Sequence, residues 1–320
     1  METIKLALDW TPNTIHSGLL LALHQSRYRD EGLEVELISP DVDDYTRTPA
    51  RRLAAGEVDF AITPSESVIA YQTSRNPCPL VAVAAILQRD TSAIVTLASS
   101  GIERPAQLDG KFYASYDARF EDDIVRAMVQ HDGGEGSFTP ITIGRLDIWE
   151  MLQQSDADAT WVFMPWEGVQ AERKGTQLNV FRMEDHGIPY GYTPLILAHE
   201  KAIQTRTAAY RRFMQITAEA YQEAATNPRE SARFLSDTMQ HPDFEDRGFI
   251  EASLNSLKNA QLNENKQWGR MDADVWQRFI SWLVENKMIE PLSNDQIEKL
   301  FTNRLLPSLG DRIRPAKPNR

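Results

Sequence analysis

The chain has 320 residues, 42% of them hydrophobic and 25% charged, which suits a globular protein long enough for two domains. A formal net charge of -12 and a pI near 5.1 exclude nucleic acid and insertion into an anionic membrane as its main business, since both call for a basic face. The single cysteine, Cys78, excludes an internal disulfide and any thiolate zinc cluster; set between Pro77 and Pro79, it reads as a small buried hydrophobe.

Met1 leads directly into an alternating strand over residues 4–8, with no basic and apolar leader before it. The protein is therefore cytoplasmic where Met1 is the native start, and periplasmic or cell-surface where a leader has been removed. A helix over 17–29, with Leu20, Leu21, Leu23 and Tyr28 on its apolar face, ends at Gly32 and gives way to a strand over 33–38. A helix over 48–55, a strand over 58–62, a helix over 65–74 and an apolar strand over 80–87 follow. That last run is typical of a strand covered on both faces and falls far short of the ~20 residues of a membrane span. The alternation predicts a mostly parallel sheet with right-handed crossovers.

The pattern then restarts. Strand 93–98, a proline-led turn at 104–110, strand 111–114, helix 120–130, strand 139–143, helix 147–154, strand 159–163, helix 166–174 and strand 178–182 form a second α/β unit. A returning strand over 193–198 precedes a largely helical remainder, with helices over 207–226, after Pro228, over 249–258 and over 272–286. The basic tail beyond Pro307 reads as loose. Two lobes with a cleft between them result: residues 1–92 plus 193–320, carrying the C-terminal helices, and residues 93–192. Ligands of such sheets bind beyond the carboxyl ends of the strands. That rule selects the loops at 9–16, 63–67, 88–92, 115–121, 164–167 and 190–193.

These loops hold the candidate site. Trp10, flanked by Asp9 and Asn13, suits a flat heterocycle, whose ring stacks while its edge is hydrogen-bonded; the alternative is a tryptophan closing the sheet end. Asn13 and His16 either contact ligand or cap the helix that starts near residue 17. Ser65, Gln88 and Ser92 add polar groups from the other strand ends of the first lobe. Tyr116 and Asp117 precede a helix opening with Glu121, Asp122 and Asp123, acids that complement the helix dipole and also spoil this helix start as a phosphate cradle. Trp166 and Glu167 supply a second aromatic and a second carboxylate that could face Trp10, or else a core tryptophan and a first-turn acid. Tyr190 lies where the chain returns to the first lobe. Trp149, Trp161, Trp268, Trp276 and Trp282 read as core, and the other histidines share no metal-ligand spacing.

Several segments carry a resemblance across nearly the whole chain. Leu8-Asp9-Trp10-Thr11-Pro12-Asn13 with His16 and Gly18, Phe163-Met164-Pro165-Trp166-Glu167-Gly168, Tyr192-Thr193-Pro194, Trp268-Gly269 and Val275-Trp276-Gln277-Arg278-Phe279 resemble the family joining bacterial thiamine-pyrimidine binding proteins to fungal pyrimidine synthases. The resemblance implies an α/β, two-lobed fold of the periplasmic-binding-protein type (type II), with a pyrimidine gripped between aromatic faces, no cofactor, and delivery to an ABC importer permease. The synthase branch implies a lysine and a histidine after the third strand and a cysteine-rich run before the returning strand. Aligned here, those positions hold Thr63, Ser67 and the cysteine-free stretch 187–191. Threonine cannot form a Schiff base and serine cannot donate an imidazole. Binding of a thiamine-precursor-like pyrimidine is thus the expected function, with pyrimidine synthesis or binding of another small heterocycle as alternatives.

Overall fold

Among the described residues, ten strands form two five-stranded sheets with the same plan. The computed structural model describes residues 1–142 and 148–308. Residue 143 of the expected strand 139–143, residue 147 of the expected helix 147–154, and the tail from 309 onward lie outside the described residues. The first sheet contains β1 (Glu2–Ala7), β2 (Leu33–Ile38), β3 (Phe60–Thr63), β4 (Leu80–Ala85) and β10 (Leu195–His199), in the order β2-β1-β3-β10-β4. The second contains β5 (Ser92–Leu97), β6 (Phe112–Ser115), β7 (Thr139–Thr142), β8 (Ala159–Phe163) and β9 (Leu178–Phe181), in the order β7-β6-β8-β5-β9.

Each sheet is mostly parallel, as expected, with one reversed strand that makes it mixed. β1 pairs in parallel with β2 and β3, and β6 with β7 and β8, but β10 runs antiparallel to β3 and β4, and β5 antiparallel to β8 and β9. The exceptional strand is in each case the first to arrive from the other sheet. The chain crosses from β4 to β5, and back from β9 to β10. Two connections of this kind, side by side, are the natural pivot of a hinge.

The helices, in chain order, are α1 (Ser17–His24), α2 (Arg27–Asp30), α3 (Pro49–Ala54), α4 (Ser65–Gln72), α5 (Glu121–His131), α6 (Ile148–Gln154), α7 (Val169–Arg173), α8 (Glu200–Thr205), α9 (Thr207–Thr226), α10 (Pro228–Thr238), α11 (Arg247–Gln261), α12 (Ala273–Glu285) and α13 (Asn294–Glu298). The single helix expected over 17–29 is broken: Ser26 adopts φ 59°, and α2 starts on a new axis. The break lets Tyr28 bury completely, stacked on Phe213 at 5.2 Å with its hydroxyl 2.7 Å from Thr217. Periodicity cannot see such a break, because the apolar spacing runs through it.

Helix α9 packs on α1 where Gly18 meets the Tyr221 ring, itself stacked on Trp268 at 4.5 Å and 6°. A Cβ on Gly18 would stand 2.3 Å from that ring. Gly18→Ala is therefore expected to destabilise the fold by about 1–3 kcal/mol, the usual cost of overpacking, read as a lowered urea midpoint. An unchanged midpoint would mean that the helices are not seated this tightly. On α12, Trp276 and Phe279 are buried, Trp276 stacked on Phe301 at 5.8 Å and Phe279 against Tyr190 at 5.2 Å, so this helix is held by its aromatic stripe.

Candidate functional site

The turn after β1 is built around His16. The Asn13 carboxamide accepts the Ile15 N–H at 2.8 Å and so caps the short turn Thr14–His16. The Asn13 N–H donates to His16 Nδ1 at 3.2 Å, which leaves Nε2 to carry the ring proton and donate it to Asp9 Oδ1 at 2.8 Å. His16 is fully buried and Asn13 nearly so. Asn13 thus takes the capping role that was one of its two readings, and His16 holds the Asp9 carboxylate in place.

Trp10 stands half-buried beyond this turn, with two ring partners. Tyr45, from the loop after β2, lies 5.0 Å away, and Tyr116, from the loop after β6, lies 5.9 Å away at 83°. Tyr116 belongs to the second sheet, so this contact spans the two lobes. Asp44 and Tyr45 both adopt left-handed backbone angles (φ 50° and 61°), costing roughly 1–2 kcal/mol each for residues other than glycine. Strain of this kind collects where a side chain must be aimed. Tyr116 is 37% exposed as a whole residue, and burial of its phenol, with Glu167 and Glu121 next in effect, raises that group far above its ordinary range.

Trp166 does not face Trp10. It is 3% exposed and packs on Phe249 at 4.6 Å and on Phe244, because α11 lies across the π-helical turn Met164–Gly168 that carries it. Ser253 of α11 donates to the Pro165 carbonyl at 2.5 Å and fixes this seat. Trp166 is therefore packed as its core reading has it, and the ring of the second sheet that meets Trp10 is Tyr116.

Carboxylates at the strand ends of both sheets act on one another, Glu121 and Glu167 beside Tyr116. Glu167 is buried, accepts the Phe163 N–H at 3.0 Å, and is pushed up to about 7 by burial, with Asp9 and Asp243 adding to the rise. Glu66, at the start of α4, accepts the Tyr190 hydroxyl; burial drives it up to about 7 against that bond, and the charges of Glu121 and Asp90 push the same way. Asp90 is raised to about 6 by burial, although Ser92 donates to it from its hydroxyl (2.6 Å) and its N–H (2.9 Å). Glu121 accepts the Tyr113 hydroxyl at 2.8 Å and the Tyr116 N–H at 3.0 Å, and burial raises it too. The charged neighbours that move Glu66 and Glu167 most are themselves carboxylates. Among the described residues, no group of three or more His, Cys, Asp or Glu is placed to hold a metal ion.

The remaining predicted residues divide. The Ser65 hydroxyl is fully buried and finds no partner among the described residues; it sits where a Cβ on Gly191 would come within 2.7 Å of it. The Gln88 carboxamide nitrogen is also buried without a partner among the described residues, while its backbone N–H donates to the Ala260 carbonyl at 2.6 Å. Ser92 serves Asp90. Asp117 is exposed, its N–H bonded to the Ser115 hydroxyl at 3.1 Å, and stands at the rim. Tyr45, Glu66 and Asp90 were not singled out by the sequence reading. Asp90 and Glu66 both lie inside selected strand-end loops, Glu66 there reading as an ordinary first-turn acid, but Tyr45 follows a strand whose exit is not selected. Thr63, at the end of β3, is 2% exposed and donates to the Pro64 carbonyl. A separate open groove of about 510 Å3, lined by Glu184, Ile188, Pro189, Arg278, Trp282 and Glu285, holds none of the convergent rings or carboxylates.

Two mixed sheets joined by paired crossings, with polar and aromatic groups gathered at the strand ends, define the periplasmic-binding-protein fold. Solved structures agree. The periplasmic aliphatic sulphonate binding protein of Escherichia coli superposes with a TM-score of 0.67 at 16% identity, covering 100% of this chain and 97% of that one. The periplasmic nitrate-binding protein of Synechocystis does so with a TM-score of 0.66 at 14% identity, over 95% and 87%. Residues 13–231, more than half of the chain, match the family described as NMT1/THI5 like, and the chain belongs to that family. Among its relatives is the formylaminopyrimidine-binding protein of Halalkalibacterium halodurans, 23% identical over 292 residues, which are 91% of this chain and 87% of the relative. Among the described residues, no helix is long and apolar enough to cross a membrane.

Proposed function

We propose that this is a solute-binding protein whose lobes, 1–92 with 193–320 and 93–192, close over a pyrimidine related to the thiamine precursor. The observation that carries the reading is the meeting of Trp10 and Tyr45 from one lobe with Tyr116 from the other, beside Asp9 and Glu167. A flat ring entering among these aromatic groups is stacked, and its exocyclic amine has carboxylates to donate to. A sulfonate or nitrate would meet the same carboxylates with no donor to offer, so the likeness to anion-binding neighbours extends to fold and not to ligand. Membership of the family, and a relative named for an aminopyrimidine, support the same choice. Delivery to an ABC importer permease goes with this reading.

Binding rather than synthesis is supported by Thr63 and Ser67, which offer neither an amine nor an imidazole. Mixing the protein with pyridoxal phosphate is expected to give no imine that borohydride fixes; a stoichiometric lysine adduct would restore the synthase reading. A thermal-shift panel tests the ligand class. Pyrimidines bearing a 4-amino group should raise the melting temperature, with stabilisation of about 2.7 kcal/mol at a hundredfold excess over Kd. Aliphatic sulfonates and nitrate should not. A largest shift from a sulfonate would overturn the ligand class and leave the fold.

A further inference from the structure

The acids at the closure come from opposite sides of it. Asp9 follows β1 and Glu66 opens α4, both on the first sheet; Asp90 lies in the crossing to β5; Glu121 opens α5 and Glu167 follows β8, both on the second. The Trp10–Tyr116 contact shows these sides brought together. From that arrangement, and resting on the pyrimidine-binding reading, we propose that the ligand is held as a cation, its positive group lying among Asp9, Glu66, Glu121 and Glu167 and against the faces of the aromatic rings.

Four features argue for it. Aromatic faces attract cations, more strongly once water is excluded. Buried carboxylates are held at cost unless neutralised or paired. The groups facing them supply little neutralisation: Tyr190, Glu121 and Asp90 act on Glu66, Asp9 and Asp243 on Glu167, Asp122 on Glu121, and Glu184 on Asp90. Arg89, next to Asp90, donates to the Asn259 carbonyl, Arg119 is exposed and spends its guanidinium on the Ala70 carbonyl and the Thr73 hydroxyl, and the His16 proton already goes to Asp9. Independently of the acids, the fully buried Ser65 hydroxyl beside Glu66 has no partner among the described residues. Its oxygen is an acceptor that a donor-only group such as an ammonium would use.

Closure without a cation must instead take up protons, and this fixes the sign of the pH dependence. In the closed form Glu66 and Glu167 lie at about 7 and Asp90 at about 6, above the ordinary carboxylate range they have when the lobes are apart and solvated. Affinity for a neutral ligand is therefore full below the ordinary carboxylate range, is lost as pH rises from there through about 6 to about 7, and levels off above that. A ligand that brings its own positive charge replaces those protons and escapes the loss.

The test is calorimetric titration of the whole protein with three 4-amino-2-methylpyrimidines. One carries a 5-aminomethyl group, protonated at neutral pH as a lysine amine is; the others carry neutral 5-hydroxymethyl and 5-formamidomethyl groups. The ratio of aminomethyl to hydroxymethyl affinity should grow about tenfold or more between about pH 5.5 and about pH 8. Glu66→Gln and Glu167→Gln should each compress that growth, with melting curves confirming that the variants fold. Equal affinities with parallel pH profiles would overturn the charge inference and leave pyrimidine binding standing. Binding by none of the three would remove both.

Discussion

Trp10→Ala is expected to weaken pyrimidine binding by about 1–3 kcal/mol, roughly ten- to a hundredfold, which is what a base stacked on an aromatic side chain contributes. Stability should change by less than about 1 kcal/mol, because Trp10 is half-buried on a loop and its partners, Tyr45 and Tyr116, lie outside the hydrophobic core. Titration and a urea melt on the same preparation decide the matter. A large fall in the urea midpoint with binding intact would make Trp10 a structural residue and end the stacking argument.

Trp166→Ala should behave in the opposite way. The ring is 3% exposed between Phe249 and Phe244, and truncating such a residue costs about 3–5 kcal/mol through lost contacts and the cavity left behind. The urea midpoint should drop accordingly. Pyrimidine affinity, measured below the new transition, should fall less than in Trp10→Ala, and only through loosening of the neighbouring Glu167. A stable variant that had lost all binding would return Trp166 to the site.

These two tryptophans also mark how far the sequence can be read. Both follow an apolar strand and both have a carboxylate beside them, so their local patterns match. What separates them is α11, some eighty residues beyond Trp166, which packs across one and leaves the other open. His16 shows the same limit: a histidine near a helix start suggests a cap or a contact, and only the placing of Asp9 and the Asn13 N–H shows both ring nitrogens occupied.

Element order was legible almost throughout, since periods of two and 3.6 are local properties. Strand direction was not. β5 and β10 look like any other apolar strand, and their antiparallel pairing follows from which sheet the chain has just left. Of the carboxylates at the site, Asp9, Glu121 and Glu167 were found by the strand-end rule. Glu66 and Asp90 lie in loops that the same rule selects, but what sets them apart is burial in the folded chain, which no window of sequence contains.

The crystal structure of the protein with 4-amino-5-hydroxymethyl-2-methylpyrimidine is the most direct test of the central claim. The ring should lie in contact with Trp10 and Tyr116, with Tyr45 at its side and its exocyclic amine donating to one of Asp9, Glu66, Glu121 or Glu167. A ligand lodged in the groove beside Trp282, or a closed cleft that holds none, would contradict it.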